Sequence, residues 1–201
     1  MKDPILFHFD FSSPYGYLAS EKIEALARRY DRSVDWRPIL LGVVFRQTGA
    51  APLTQIPLKG DYARRDMLRS ARFHDIANFR FPSKFPIATQ APARMVLWTK
   101  RNDPPRTAAV VHALYRAFFA EDHDISDPEI AADAVARIGL DRATLRAAVD
   151  DPALKDALRH ACEEATAAGV FGSPYIVVDG EPFWGLDRLD QVERWLATDG
   201  F

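Results

Sequence analysis

Apolar and polar positions change period repeatedly along this chain. Ile5-Leu6-Phe7-His8-Phe9 is short, β-prone and almost wholly apolar, the pattern of a central strand covered on both faces. From 14 to 30 the period becomes helical, with Leu18, Lys22, Ala25, Leu26 and Arg29 at helical spacing and Pro14 suited to a first helical position. Val34-Asp35-Trp36-Arg37 returns to strand and closes a β-α-β unit if it runs parallel to the first. A long helical stretch follows, predicted over 62–77, 91–100, 106–121, 128–138, 142–149 and 152–168. The helix over 106–121 is strongly apolar on one side through Val110, Val111, Leu114, Tyr115 and Phe118. Tyr175-Ile176-Val177-Val178 is the next strand, and Asp179-Gly180 turns it into Glu181-Pro182-Phe183-Trp184. A helix over 187–197 ends the pattern.

The order β-α-β, helices, β-β-α predicts an α/β frame built from 1–39 and 166–201, with an inserted helical domain over 40–165. The proline-rich passage Phe81-Pro82-Ser83-Lys84-Phe85-Pro86 is irregular and is placed to line a cleft between the two parts. No internal repeat or flexible linker interrupts this plan.

Composition narrows the classes. The 201 residues are 48% hydrophobic and 27% charged, as in an ordinary globular protein. A net charge of −2 gives no footprint for nucleic acid. No apolar run reaches membrane-span length, and MKDPILFHFDF lacks a signal peptide's apolar segment, so a cytoplasmic protein is expected. The single cysteine, Cys162, excludes an intramolecular disulfide and any Cys-x-x-Cys centre. It shares an apolar helical face with Leu158, Ala161 and Ala165 and reads as core. The histidines show no metal-ligand spacing, so no metal site is expected.

Four stretches carry a resemblance. They are Phe9-Asp10-Phe11-Ser12-Ser13-Pro14-Tyr15, Pro57-Leu58-Lys59-Gly60-Asp61-Tyr62 with Asp66 and Arg69 after it, Gly169-Val170-Phe171-Gly172-Ser173-Pro174, and Phe183-Trp184-Gly185-Leu186-Asp187-Arg188-Leu189. In this order the chain resembles the disulfide-oxidoreductase A family, within the branch of 2-hydroxychromene-2-carboxylate isomerases and kappa-class glutathione transferases. The resemblance covers nearly the whole length and implies a thioredoxin-like fold with a large helical insertion. It also implies glutathione as cofactor, a small-molecule substrate and a homodimer.

Where redox members begin the first helix with Cys-Pro-x-Cys, this chain has Ser13-Pro14-Tyr15-Gly16. A serine oxygen cannot exchange a disulfide, so the sulfur has to arrive on a ligand. A free thiol has a pKa of about 8.5, and lowering it by roughly two units takes about 2.7 kcal/mol. A hydrogen bond to the anion supplies roughly 1.5–3 kcal/mol and a helix N-terminus roughly 0.3–2 kcal/mol. Ser13 is therefore expected to donate to the thiolate, in addition to any role as a helix N-cap.

The resemblance further implies a cis Pro174 opposite the serine. It leaves the Ser173 N–H and C=O free to pair with the tripeptide. Asp187, read as the opening of the last helix, is implied as the partner of the γ-glutamyl ammonium, and Lys59 as a partner of glutathione carboxylate. Ala50, Ala88 and Leu186 stand where polar residues are frequent in the family, which weakens the expected glutathione contacts. The implied activity is glutathione-dependent cis-trans isomerisation of an aromatic α-keto acid. A kappa-like transferase or peroxidase and a non-catalytic thiol-binding protein are the alternatives.

Overall fold

The computed structural model describes residues 2–201. Strands β1 (Ile5–Phe9), β2 (Val34–Pro38), β3 (Tyr175–Val178) and β4 (Glu181–Trp184) form one sheet in the order β2-β1-β3-β4. β1 runs parallel to β2 and antiparallel to β3, and β3 pairs antiparallel with β4. The register aligns Trp36, Phe7, Ile176 and Phe183 across the sheet, and all four are buried. Because β1 is central and covered on both faces, its apolar residues do not alternate with polar ones.

Helix α1 (Pro14–Arg29) follows β1, with Pro14 at its first position, where a missing N–H costs nothing. Its buried stripe includes Tyr17, Leu18, Ile23 and Leu26, and Arg28 and Arg29 sit in the last turn, where the helix dipole favours cations. Between β2 and β3 lie α2 (Leu41–Thr48), α3 (Lys59–Phe73), α4 (Gln90–Asn102), α5 (Thr107–Phe119), α6 (Pro128–Ala136), α7 (Arg142–Ala148) and α8 (Pro152–Ala167). Asp127, Asp141 and Asp151 cap α6, α7 and α8 through side-chain hydrogen bonds, which is why those starts are visible in the sequence. The chain ends on α9 (Leu189–Thr198).

One cluster of buried residues joins Phe7, Phe9 and Leu18 of the sheet and α1 to Val110, Leu114 and Phe118 of α5. Tyr115 lies at its centre, packed against Phe9, Phe11, Tyr17 and Phe119. A second cluster brings Cys162, Leu158 and Ala165 against Ile39 and Tyr175, as expected for a core cysteine.

Two readings change. α2 has no counterpart among the expected helices, and α3 begins at Lys59, ahead of Tyr62, and ends at Phe73. Asp187 does not open the last helix: it lies in a 3-10 turn, Leu186–Arg188, that follows Gly185 at φ 112°. Its carboxylate pairs with Arg188, and no side chain caps α9.

Candidate active-site cleft

A cleft of about 1360 Å³ opens where β1 hands over to α1. Its walls come from Ser12 to Tyr15, from α2 and the turn after it, from α3, from residues 85–90, from the loop at Ser173-Pro174 and from residues 184–190. The Phe85–Pro86 and Ser173–Pro174 bonds are both cis, and all four residues line the cleft. The irregular proline passage therefore reaches the cleft through its last two residues.

Ser13 is buried at the N-cap of α1. Its oxygen accepts the Gly16 N–H at 3.0 Å, and its hydroxyl donates to the Ser173 carbonyl at 2.8 Å. The Ser173 carbonyl thus already accepts one internal donor, with its second lone pair open. Among the described residues the Ser173 N–H has no hydrogen-bond partner. Ser173 Oγ accepts the Asp10 N–H at 3.0 Å, which fixes the loop against the end of β1.

Asp10 organises the floor. Its carboxylate receives the Ser12 N–H at 2.8 Å, the Leu41 N–H at 2.6 Å and the Thr89 hydroxyl at 2.8 Å. Burial pushes this carboxyl up, and those donors oppose the shift. One side chain thereby ties the start of α1 to α2 and to the residue before α4. The Asp10 carbonyl also accepts the Ser13 N–H and the buried Tyr115 hydroxyl, each at 2.9 Å. The Ser13 hydroxyl donates to Ser173 and makes no bond to this carboxylate, so Asp10 is a scaffold for the serine and not its base. No histidine hydrogen-bonds to Ser13 among the described residues, so a Ser-His nucleophile is not assembled here.

Gly16 stands at the second position of the lost dithiol. A Cβ there would lie 2.7 Å from the Tyr115 hydroxyl, 2.9 Å from Ser173 Oγ and 3.1 Å from Ser13 Cβ. The space for a second sulfur is filled by hydroxyl groups.

The expected residues do not all gather. Ser13, Ser173, Pro174 and Asp187 share the wall, and the Asp187 side chain is 73% exposed although it pairs with Arg188 at 3.1 Å. Lys59, at the first position of α3, does not line the cleft. Ala50, Ala88 and Leu186 do. Two further features were missed by residue-by-residue reading. The Tyr15 hydroxyl donates to Asp66 at 2.6 Å, while Asp66 also pairs with Arg69. Arg46 of α2 is on the wall as well.

A β-α-β and β-β-α frame that sets a Ser-Pro helix start beside a cis-proline loop defines a thioredoxin-fold protein without a dithiol. The model of the DSBA-like thioredoxin domain matches residues 4–197, and the chain belongs to that family. Within it, the chain falls in the branch of 2-hydroxychromene-2-carboxylate isomerases and kappa-class glutathione transferases. It is 32% identical over 199 residues to a 2-hydroxychromene-2-carboxylate isomerase of Sphingobium xenophagum, covering 98% of this chain and 99% of the relative. It is 28% identical to glutathione S-transferase kappa 2 of Caenorhabditis elegans, covering 96% and 91%. A solved 2-hydroxychromene-2-carboxylate isomerase superposes with a TM-score of 0.84 at 25% identity, over 96% of this chain and 94% of that one. No helix among the described residues is long and apolar enough to cross a membrane.

Proposed function

We propose that the protein is a glutathione-dependent cis-trans isomerase of an aromatic α-keto acid, with Ser13 holding the sulfur. The observation that carries this reading is the Ser13 hydroxyl, buried at the N-terminus of a 16-residue helix and facing Ser173 beside a cis proline.

The residues present fit the tripeptide. The Ser173 N–H is available to an extended backbone. The Asp187 carboxylate is exposed on the same wall and suits an ammonium. A volume of about 1360 Å³ exceeds the roughly 300–1,000 Å³ of ordinary small-molecule sites, leaving room for a thiol and a second ligand. Tyr15, Phe45, Tyr62 and Phe85 supply apolar and aromatic wall for a planar ring.

Glutathione, with its sulfur beside Ser13, its backbone along Ser173 and its ammonium toward Asp187, would supply a thiolate nucleophile for reversible addition to a conjugated alkene. Ser13 turns its proton from the Ser173 carbonyl toward the anion, a hydrogen bond worth roughly 1.5–3 kcal/mol. The N-terminus of α1 adds favourable potential at the same point, where Pro14 has no N–H and the Tyr15 N–H has no partner among the described residues. An isomerisation of this kind needs no net proton transfer from the protein, because the negative charge that would pass to the keto oxygen on addition would return to sulfur on departure.

The test is turnover of a cis-trans aromatic keto-acid substrate with and without glutathione. Dependence on glutathione without its consumption is expected, and Ser13→Ala should lower turnover about 10–100-fold. Turnover that ignores glutathione, or survives Ser13→Ala unchanged, rejects the reading. The kappa relatives favour a second reading as a transferase, for which glutathione would be consumed in step with product.

A further inference from the structure

We propose that Arg46 is the residue of this cleft that binds a ligand carboxylate. This rests on the reading of the cleft as a site for a thiol and a keto acid. Both of those ligands are carboxylates, so the wall needs a cation whose charge is not already spent.

Arg46 and Arg188 are the arginines on the wall. Arg188 pairs with Asp187 at 3.1 Å. Arg69 is not among the residues lining the wall and is held by Asp66 and by the Tyr62 hydroxyl. Burial and the nearby Lys22 push the His74 imidazole below its ordinary value, against Asp190 and Asp75, which disfavours its charged form. Lys59 is off the wall. Arg46, by contrast, is exposed in the last turn of α2 and has neither an acidic partner nor a hydrogen bond among the described residues.

The other wall charges sharpen the point. Asp66 and Asp187 are already paired with Arg69 and Arg188, and Asp190, also on the wall, has no ion pair among the described residues, so Arg46 is the unpaired arginine that an entering carboxylate would meet. Beside Arg46 the wall continues through Thr48, whose hydroxyl already donates to the Val44 carbonyl at 3.2 Å, and through Ala50 and Ala51, which offer no side-chain donor. A guanidinium there can grip both oxygens of one carboxylate, which an ammonium cannot do in the same geometry.

The ligand carboxylate has two sources, the glycine end of the thiol and the keto acid itself. Calorimetry separates them, using wild type, Arg46→Ala and Arg46→Lys. The probes are glutathione against its glycine ethyl ester, and phenylpyruvate against its methyl ester. Wild type should prefer the acid over the ester in at least one pair, by about tenfold or more. Arg46→Ala should erase that preference, and Arg46→Lys should retain part of it. Urea unfolding should show the same midpoint for all three, since the side chain is exposed.

Loss of preference in the glutathione pair assigns Arg46 to the thiol, and loss in the phenylpyruvate pair assigns it to the organic acid. Either supports the proposal. It is overturned if wild type shows no acid-over-ester preference in either pair, or if the preference survives in Arg46→Ala. Failure of wild type to bind glutathione sinks the glutathione reading alone, because the phenylpyruvate pair still decides Arg46.

Discussion

The Tyr15 hydroxyl donates to the Asp66 carboxylate at 2.6 Å and joins the N-terminal end of α1 to α3, across 51 residues of sequence. The other Asp66 oxygen pairs with Arg69, whose guanidinium reaches the exposed Tyr62. Burial pushes the Tyr15 hydroxyl well above its ordinary value and Asp66 adds to that, so the phenol stays protonated and remains a donor. Tyr15→Phe should therefore loosen α3 without disturbing the sheet. A stability loss of roughly 1–3 kcal/mol is expected, with faster amide hydrogen exchange over 60–72 and unchanged exchange in β1 and β3. Equal acceleration everywhere would mean that the bond does not hold α3 in particular.

Gly16 makes a sharper case, since the Cβ of any other residue meets the Tyr115 hydroxyl at 2.7 Å. Tyr115 is buried and donates to Asp10, so it cannot swing away without breaking that bond. Gly16→Ala gains roughly 0.5–1 kcal/mol of helix propensity but incurs overpacking of about 1–3 kcal/mol. A net loss is expected by urea unfolding, and a larger one for Gly16→Cys. For the same reason Ser13→Cys with Gly16→Cys should not recover disulfide exchange. A stable, exchange-competent double variant would show that the pocket yields more than its hydroxyl packing implies.

Ser13 has a structural duty besides its proposed chemical one. Removing its oxygen leaves the Gly16 N–H without its acceptor and the Ser173 carbonyl without its donor. Ser13→Ala should lower unfolding free energy by about 0.5–2 kcal/mol. Against a typical total of about 5–15 kcal/mol, that loss leaves nearly every molecule folded. A fall in turnover at 25 °C would therefore reflect the site, provided the urea midpoint moves by no more than this.

Much of this frame was legible because local signals agreed with burial. Ile5–Phe9 is apolar because both its faces are covered, and α6, α7 and α8 announce themselves through aspartate caps. α2 was not legible. Leu40 precedes it with no side-chain cap bond, and Gly42, Val43 and Val44 are poor helix formers, so tertiary packing around buried Val44 holds it. Asp187 misled for the opposite reason, being a good cap residue in a place where Gly185 turns the chain first. Ser13 and Ser173 were both visible in motifs, yet the bond between them spans 160 residues and only the fold creates it. Arg46 lies in α2, so the failure to see that helix hid the residue too.

Two histidines should set the pH dependence of stability. His112 faces Glu24 at 2.7 Å and Glu21 at 3.4 Å. Burial opposes its charge, but hydrogen bonds to Glu21 and Glu24 outweigh burial and raise its pKa from 6.5 to about 9. Its contribution is complete below pH 6.5 and is lost as pH rises through 9. His8 behaves oppositely: burial, with Arg37 and Lys100 adding and Asp35 opposing, lowers it to about 4. Its neutral form is favoured by folding, so stability is lost as pH falls from 6.5 toward 4. Each limb amounts to at most about 3.4 kcal/mol. Urea unfolding at a series of pH values should peak near pH 6.5, with the alkaline limb flattened in His112→Gln and the acid limb flattened in His8→Leu. An alkaline limb that persists in His112→Gln would remove the glutamate clamp as its cause.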